Sequence, residues 1–169
     1  MFQNIIMEIL GIIIFWLCLM ILTLIHEAGH LAGYKLASGD DGWHITLGIG
    51  KPLLKTNHMC VHIIPWSGMF QWQKTQPFTK KENILISAGG PIFSLVLALF
   101  FLIFQSVVQE GEAIFIDNFR PINTFVRNYN IIMFITSIIP MKYPRFIPLI
   151  GNHESDGMQI LKLLQQKTK

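Results

Sequence analysis

Charge is what this chain has least of. Thirteen Lys+Arg and ten Asp+Glu make 14% of 169 residues, against about a quarter in an ordinary soluble domain. With 51% hydrophobic residues and a mean hydropathy of +0.47, that shortage excludes the composition of an ordinary soluble domain. Cysteine is almost missing, which excludes a disulfide framework. Cys18 falls in an apolar run and Cys60 far from it, neither with metal-ligand spacing, so both read as packing residues. No internal repeat and no low-complexity tract is present. The formal charge of +3 is small, and nothing in the chain looks like a nucleic-acid module, so no nucleic-acid partner is expected. The length fits one domain, residues 1–169.

The first apolar run, Ile9 to Ile25, lacks the basic start and small-residue cleavage site of a signal peptide and reads as a retained span. His26-Glu27-Ala28-Gly29-His30 closes it. Residues i and i+4 of a helix share a face, so both imidazoles can reach one metal ion, with Glu27 beside the open coordination position as a base. A pair of hydrogen-bonded helix histidines is the plainer explanation. It is disfavoured here because ionisable groups at membrane depth are costly unless they have a task and a partner.

A second uncharged run, Ile84 to Val108, has 25 residues and is long enough to cross a bilayer. A third, Asn128 to Met141, has 14, with Pro140 near its end and prolines at 144 and 148 beyond it. It reads as a helix that enters the membrane and breaks into irregular backbone. The expected spans are about 5–36, 84–108 and 124–141. Lys51, Lys55, Lys74, Lys80 and Lys81 lie between the first two spans, and Lys142, Arg145, Lys162, Lys167 and Lys169 lie in the tail. Glu110, Glu112 and Asp117 against Arg120 and Arg127 mark the other loop. The positive-inside rule then makes the middle segment and C-terminus cytoplasmic.

Between the first two spans, glycines and prolines punctuate short runs such as His44–Ile49 and Val61–Ile64. These read as brief strands over about 43–73, with Trp43, Trp66 and Trp72 suiting a membrane interface. Gly89-Gly90-Pro91 permits close helix approach and is a candidate wall of the site. Near the end, Asp156 opens an amphipathic helix over about 156–166. It is either that helix's N-cap or a third metal ligand, with His153 and Glu154 as neighbouring competitors.

Four stretches together resemble the site-2 protease family of intramembrane zinc metalloproteases: HEAGH, IPWSGMF, AGGPIFS, and SIIP followed by SDGMQILKLL. The resemblance implies a mainly α membrane protein with a three-helix transmembrane core and a small membrane-associated β segment. It implies one Zn2+ held by His26, His30 and Asp156, with Glu27 as the catalytic carboxylate. It implies a transmembrane or membrane-tethered peptide substrate in a bacterial cell membrane, with the active site toward the cytoplasm. A regulatory membrane partner or a homo-oligomer is compatible with it. Ser67, Gly68, Gly89, Gly90 and Pro91 are the positions expected to hold substrate.

The chain departs from the family in having Ser94 and Ser137 where asparagines are common, Ser67-Gly68 in place of Gly-Gly, and a longer stretch from Pro140 to Asp156. Asn128 or Asn130 could compensate. Two further readings stay open. One is a membrane binding or regulatory protein that keeps the fold without cutting. The other is a zinc protease of the prenyl-peptide type with Glu154 as third ligand.

Overall fold

The computed structural model describes residues 2–73, 77–108 and 114–166, without the side chains of residues 2 and 107–119. Lys74, Glu110, Glu112, Lys167, Lys169 and the side chain of Asp117 lie outside the described residues. The chain is mainly helical, with a small antiparallel sheet.

Helix α1 runs Phe2–Ser38. Apart from Gln3, Asn4 and Glu8 its first half is apolar, and it leaves Ile5, Ile9, Ile12 and Phe15 exposed, which suits a lipid surround better than water. It stops at Gly39, whose φ of 70° is left-handed and whose N–H returns to the Lys35 carbonyl (3.0 Å). Strands β1 (Trp43–Lys55) and β2 (Met59–Trp72) follow. Thr56 makes the turn, its Oγ1 accepting from His58 N–H (3.3 Å) and Met59 N–H (2.9 Å).

The sheet is folded so that Ile45, Thr46 and Leu47 face Phe70, Met69 and Gly68 on one side and Met59, Cys60 and Val61 on the other. The Gly68–Trp72 stretch is therefore paired along one edge only among the described residues. The sheet lies along α1: Tyr34 rings pack on Trp72 at one end, and Trp16 Nε1 donates to the Ile63 carbonyl at the other. Met20, Ile45 and Leu47 form the shared core.

Helix α2 is Lys80–Val108. Thr79 and Glu82 make a reciprocal capping box at its start: Thr79 N–H donates to Glu82 Oε2 (2.7 Å) and Glu82 N–H to Thr79 Oγ1 (3.3 Å). Helix α3 is Ile114–Ile138, ten residues longer at its start than the expected span. Hydropathy detects only the apolar part of a helix, and the polar stretch around Arg120 and Asn123 continues the same helix unseen. Proline at 140 ends it. Among the described residues two helices, α1 and α2, are long and apolar enough to cross a membrane. Helix α4 is Asp156–Gln165, and α2 packs against α1, α3 and α4.

Residues 141–155 are more ordered than the irregular segment expected there. Ser155 N–H donates to Met141 O (2.9 Å), Tyr143 N–H to His153 O (3.0 Å) and Asn152 N–H to Tyr143 O (3.0 Å), which makes a short two-armed ladder. Leu149 and Asn152 take left-handed φ values of 70° and 65° to turn it. Ser67 Oγ donates to the Pro148 carbonyl (3.3 Å) and ties this ladder to β2.

Candidate metal centre

The helical repeat of α1 places His26 and His30 one turn apart, their rings 5.1 Å apart at the centroids, and both are buried. Each ring is held through Nδ1. His30 Nδ1 lies 2.8 Å from the Ile86 carbonyl, and a carbonyl only accepts, so Nδ1 carries a proton and Nε2 is the nitrogen left for a metal. His26 Nδ1 lies 2.9 Å from Ser94 Oγ, which can accept in the same way. Such outer partners fix the tautomer of metal-binding histidines.

Asp156 comes up from α4 to meet them, its Oδ2 3.5 Å from His30 Nε2 and 3.8 Å from His26 Nε2. Asp156 is not the N-cap. That position belongs to Ser155, whose side chain accepts from Met158 N–H, leaving the Asp156 carboxylate for the histidines. Gly157 allows the approach, because a Cβ there would lie 1.8 Å from the Ile138 carbonyl.

The two competitors are disposed differently. Glu154 is engaged by Lys162 and, at 3.7 Å, by Lys142, and the Lys162 ammonium holds its carboxyl below the ordinary range. His153 lines the cavity but is not among the ligand atoms that converge. Those atoms, from His26, His30 and Asp156, all lie within 4.8 Å of one another.

The donor set fits zinc. Ligand atoms about 2.0–2.1 Å from a tetrahedral zinc are about 3.3 Å from each other, close to the two Nε2–Oδ2 separations. Two neutral imidazoles and one carboxylate leave a fourth position open, as in catalytic zinc sites. Glu27 is buried, at 5% exposure, and lines the same cavity of about 600 Å³ as the three ligands. Gly68 on β2 meets it closely: a Cβ there would lie 2.5 Å from Glu27 Oε1.

The other expected positions divide. Ser67 and Gly68 line the cavity. Gly89, Gly90 and Pro91 do not line it and lie where α2 meets α1, with Gly90 against the imidazole Nε2 atoms. A Cβ on Gly89 would lie 2.0 Å from the Gly29 carbonyl, and one on Gly90 2.3 Å from His30 Nε2. Asn128 and Asn130 do not line the cavity; Asn130 donates to the Val126 carbonyl within its own helix (2.8 Å). Ser137 does line it, its Oγ donating to Phe134 O (3.1 Å). Cys18 and Cys60 are both free thiols.

The sequence reading did not foresee Ser94 and Ile86 as imidazole holders, or Ser155 as the cap. For Ser155 a signal existed, because serine caps as well as aspartate does. Against this geometry, the profile of peptidase family M50 matches residues 14–168. The chain belongs to peptidase family M50. A comparison with curated proteins gave no match. M50 members are zinc metallopeptidases of the site-2 protease type. In this M50 chain the HEAGH pair, the late Asp-Gly and the AGGP turn all meet at one place.

Proposed function

We propose that this M50 chain is a zinc-dependent intramembrane endopeptidase that cuts a peptide bond within or near a membrane-spanning segment of a protein or peptide. The observation that carries this reading is the convergence of His26, His30 and Asp156 beside Glu27, on a helix apolar enough to span a bilayer. His26, His30 and Asp156 would hold the metal. When bound, zinc supplies a Lewis acid that brings the pKa of a water toward about 7 and withdraws electrons from a carbonyl oxygen.

Glu27 takes a proton from the attacking water and passes it to the departing amide nitrogen, so the C–N bond gives one carboxylate and one amine. Its burial keeps bulk water from that transfer. A helical substrate hides its amides in its own hydrogen bonds and must unwind to be attacked. The Gly68–Trp72 edge, whose residues line the cavity, suits an unwound segment added as a strand.

In this reading α3 is the third crossing of the core and the catalytic carboxylate lies toward the cytoplasmic face of a bacterial cell membrane, an orientation supported by the lysines of the middle segment and tail. Metal analysis of the purified chain tests it, with about one zinc per chain expected and loss in His26→Ala and His30→Ala. Glu27→Gln should keep that zinc and retain uncut membrane proteins on co-purification that the wild type releases. A well-folded wild type without zinc overturns the proposal.

A further inference from the structure

One phenol in the cavity has no part in the chemistry so far. Tyr143 stands on the first arm of the 141–155 ladder, where both its backbone N–H and its carbonyl are hydrogen-bonded (3.0 Å each). That pairing fixes where its side chain starts, and the ring lines the same cavity as Glu27, His26, His30 and Asp156. Burial, followed by the charges of Asp156 and Glu27, pushes the phenol up to about 12, so it keeps its hydrogen at neutral pH. Tyr129, the other tyrosine of the cavity, differs. Its hydroxyl is paired with Thr23 Oγ1 at 3.1 Å.

The Tyr143 hydroxyl donates to the Thr136 carbonyl at 3.3 Å. That carbonyl lacks its helical partner, because residue 140 is proline and has no N–H. Capping it would be a sufficient structural task for the phenol. Yet O–H···O bonds centre near about 2.7–2.8 Å, so a hydrogen held at 3.3 Å is readily given to a stronger acceptor. An oxygen gaining negative charge in this cavity is such an acceptor.

We propose that Tyr143 donates a hydrogen bond to the scissile carbonyl oxygen as that oxygen becomes negative, leaving Thr136 to do so. This rests on the endopeptidase reading. It also gives the long excursion between Pro140 and Asp156 a task beyond spacing.

The test uses the full chain in detergent micelles, loaded with zinc, with affinities read per zinc-bound chain. Phosphoryl-Leu-Trp offers tetrahedral anionic oxygens; a dipeptide with a sulfhydryl in place of the phosphoryl group offers only a sulfur. Tyr143→Phe should weaken the phosphoryl probe by at least about tenfold and leave the thiol probe within about twofold. Equal loss for both probes reduces Tyr143 to a cap of α3 and overturns the proposal, as does no loss for either. Wild type that binds the thiol probe but not the phosphoryl probe also overturns it. A wild-type chain that takes up no zinc fails earlier, and that result falls on the endopeptidase reading itself.

Discussion

A single methyl group at Gly90 should empty the metal centre with all three ligand residues still present in the chain. A Cβ there would lie 2.3 Å from His30 Nε2 and 2.7 Å from His26 Nε2, where ordinary contact begins at 3.4 Å. The His30 ring would have to retreat by about 1.1 Å, several times the ±0.2 Å that a metal–ligand distance tolerates. Helix α2 cannot retreat instead without cost, since Gly89 is already against the Gly29 carbonyl and the two backbones pack there. Movement of the ring also breaks the Nδ1 bond to Ile86. Disturbing an outer partner of a ligand alone weakens metal binding by about 10–100-fold, so Gly90→Ala should exceed that range. Competition against a chelator of known zinc affinity measures the change, with circular dichroism checking that helix content is kept. Gly11→Ala is the control, because nothing lies within 4 Å of a Cβ at that position. A Gly90→Ala chain that binds zinc as tightly as wild type would refute the placement of both Nε2 atoms at the metal.

Asp156→Ala should lower zinc occupancy to the level of the two histidine variants, whereas Glu154→Ala and His153→Ala should leave zinc bound; metal analysis of the five variants side by side decides, and zinc retained in Asp156→Ala would return that carboxylate to a purely electrostatic role. Ser155→Ala should cost about 2 kcal/mol in thermal unfolding of the zinc-free chain, combining a lost helix cap with polar groups left unpaired. An unchanged melting temperature would show that α4 does not depend on that hydroxyl.

What could be read from the sequence was whatever a regular helix dictates. The i, i+4 spacing of His26 and His30 fixes a shared face as soon as the segment is helical, and an unbroken apolar run is enough to mark α1 and α2. What could not be read depended on partners distant in sequence. Gly89-Gly90-Pro91 announces close approach without saying to what, and the structure directs it to Gly29 and the imidazoles rather than to the cavity. Ser94 looks like the loss of an amide, yet its hydroxyl reaches His26 Nδ1 at 2.9 Å, so the shorter side chain still holds the ring. The start of α3 escaped notice because polar residues carry a helix as well as apolar ones do.

The long stretch before Asp156 raised the question of how a carboxylate so far from Pro140 is delivered to α1. The hydrogen bonds of Ser155 answer it. Its Oγ donates to Ile139 O (2.7 Å) and accepts from Met141 N–H (3.1 Å) and Met158 N–H (3.2 Å), while its N–H donates to Met141 O (2.9 Å). The departing chain at Ile139–Met141 and the returning chain at Ser155 are thus joined at one buried residue. Whatever length lies between Met141 and Ser155 begins and ends at the same place, and Asp156 leaves that place as the first residue of α4. Loop-closure entropy rises only slowly with length, so an excursion pinned at its base can carry new side chains, Tyr143 among them, without shifting the carboxylate. The distance from Pro140 to Asp156 in sequence therefore sets nothing at the metal centre; the hydroxyl of Ser155 and the missing Cβ of Gly157 do.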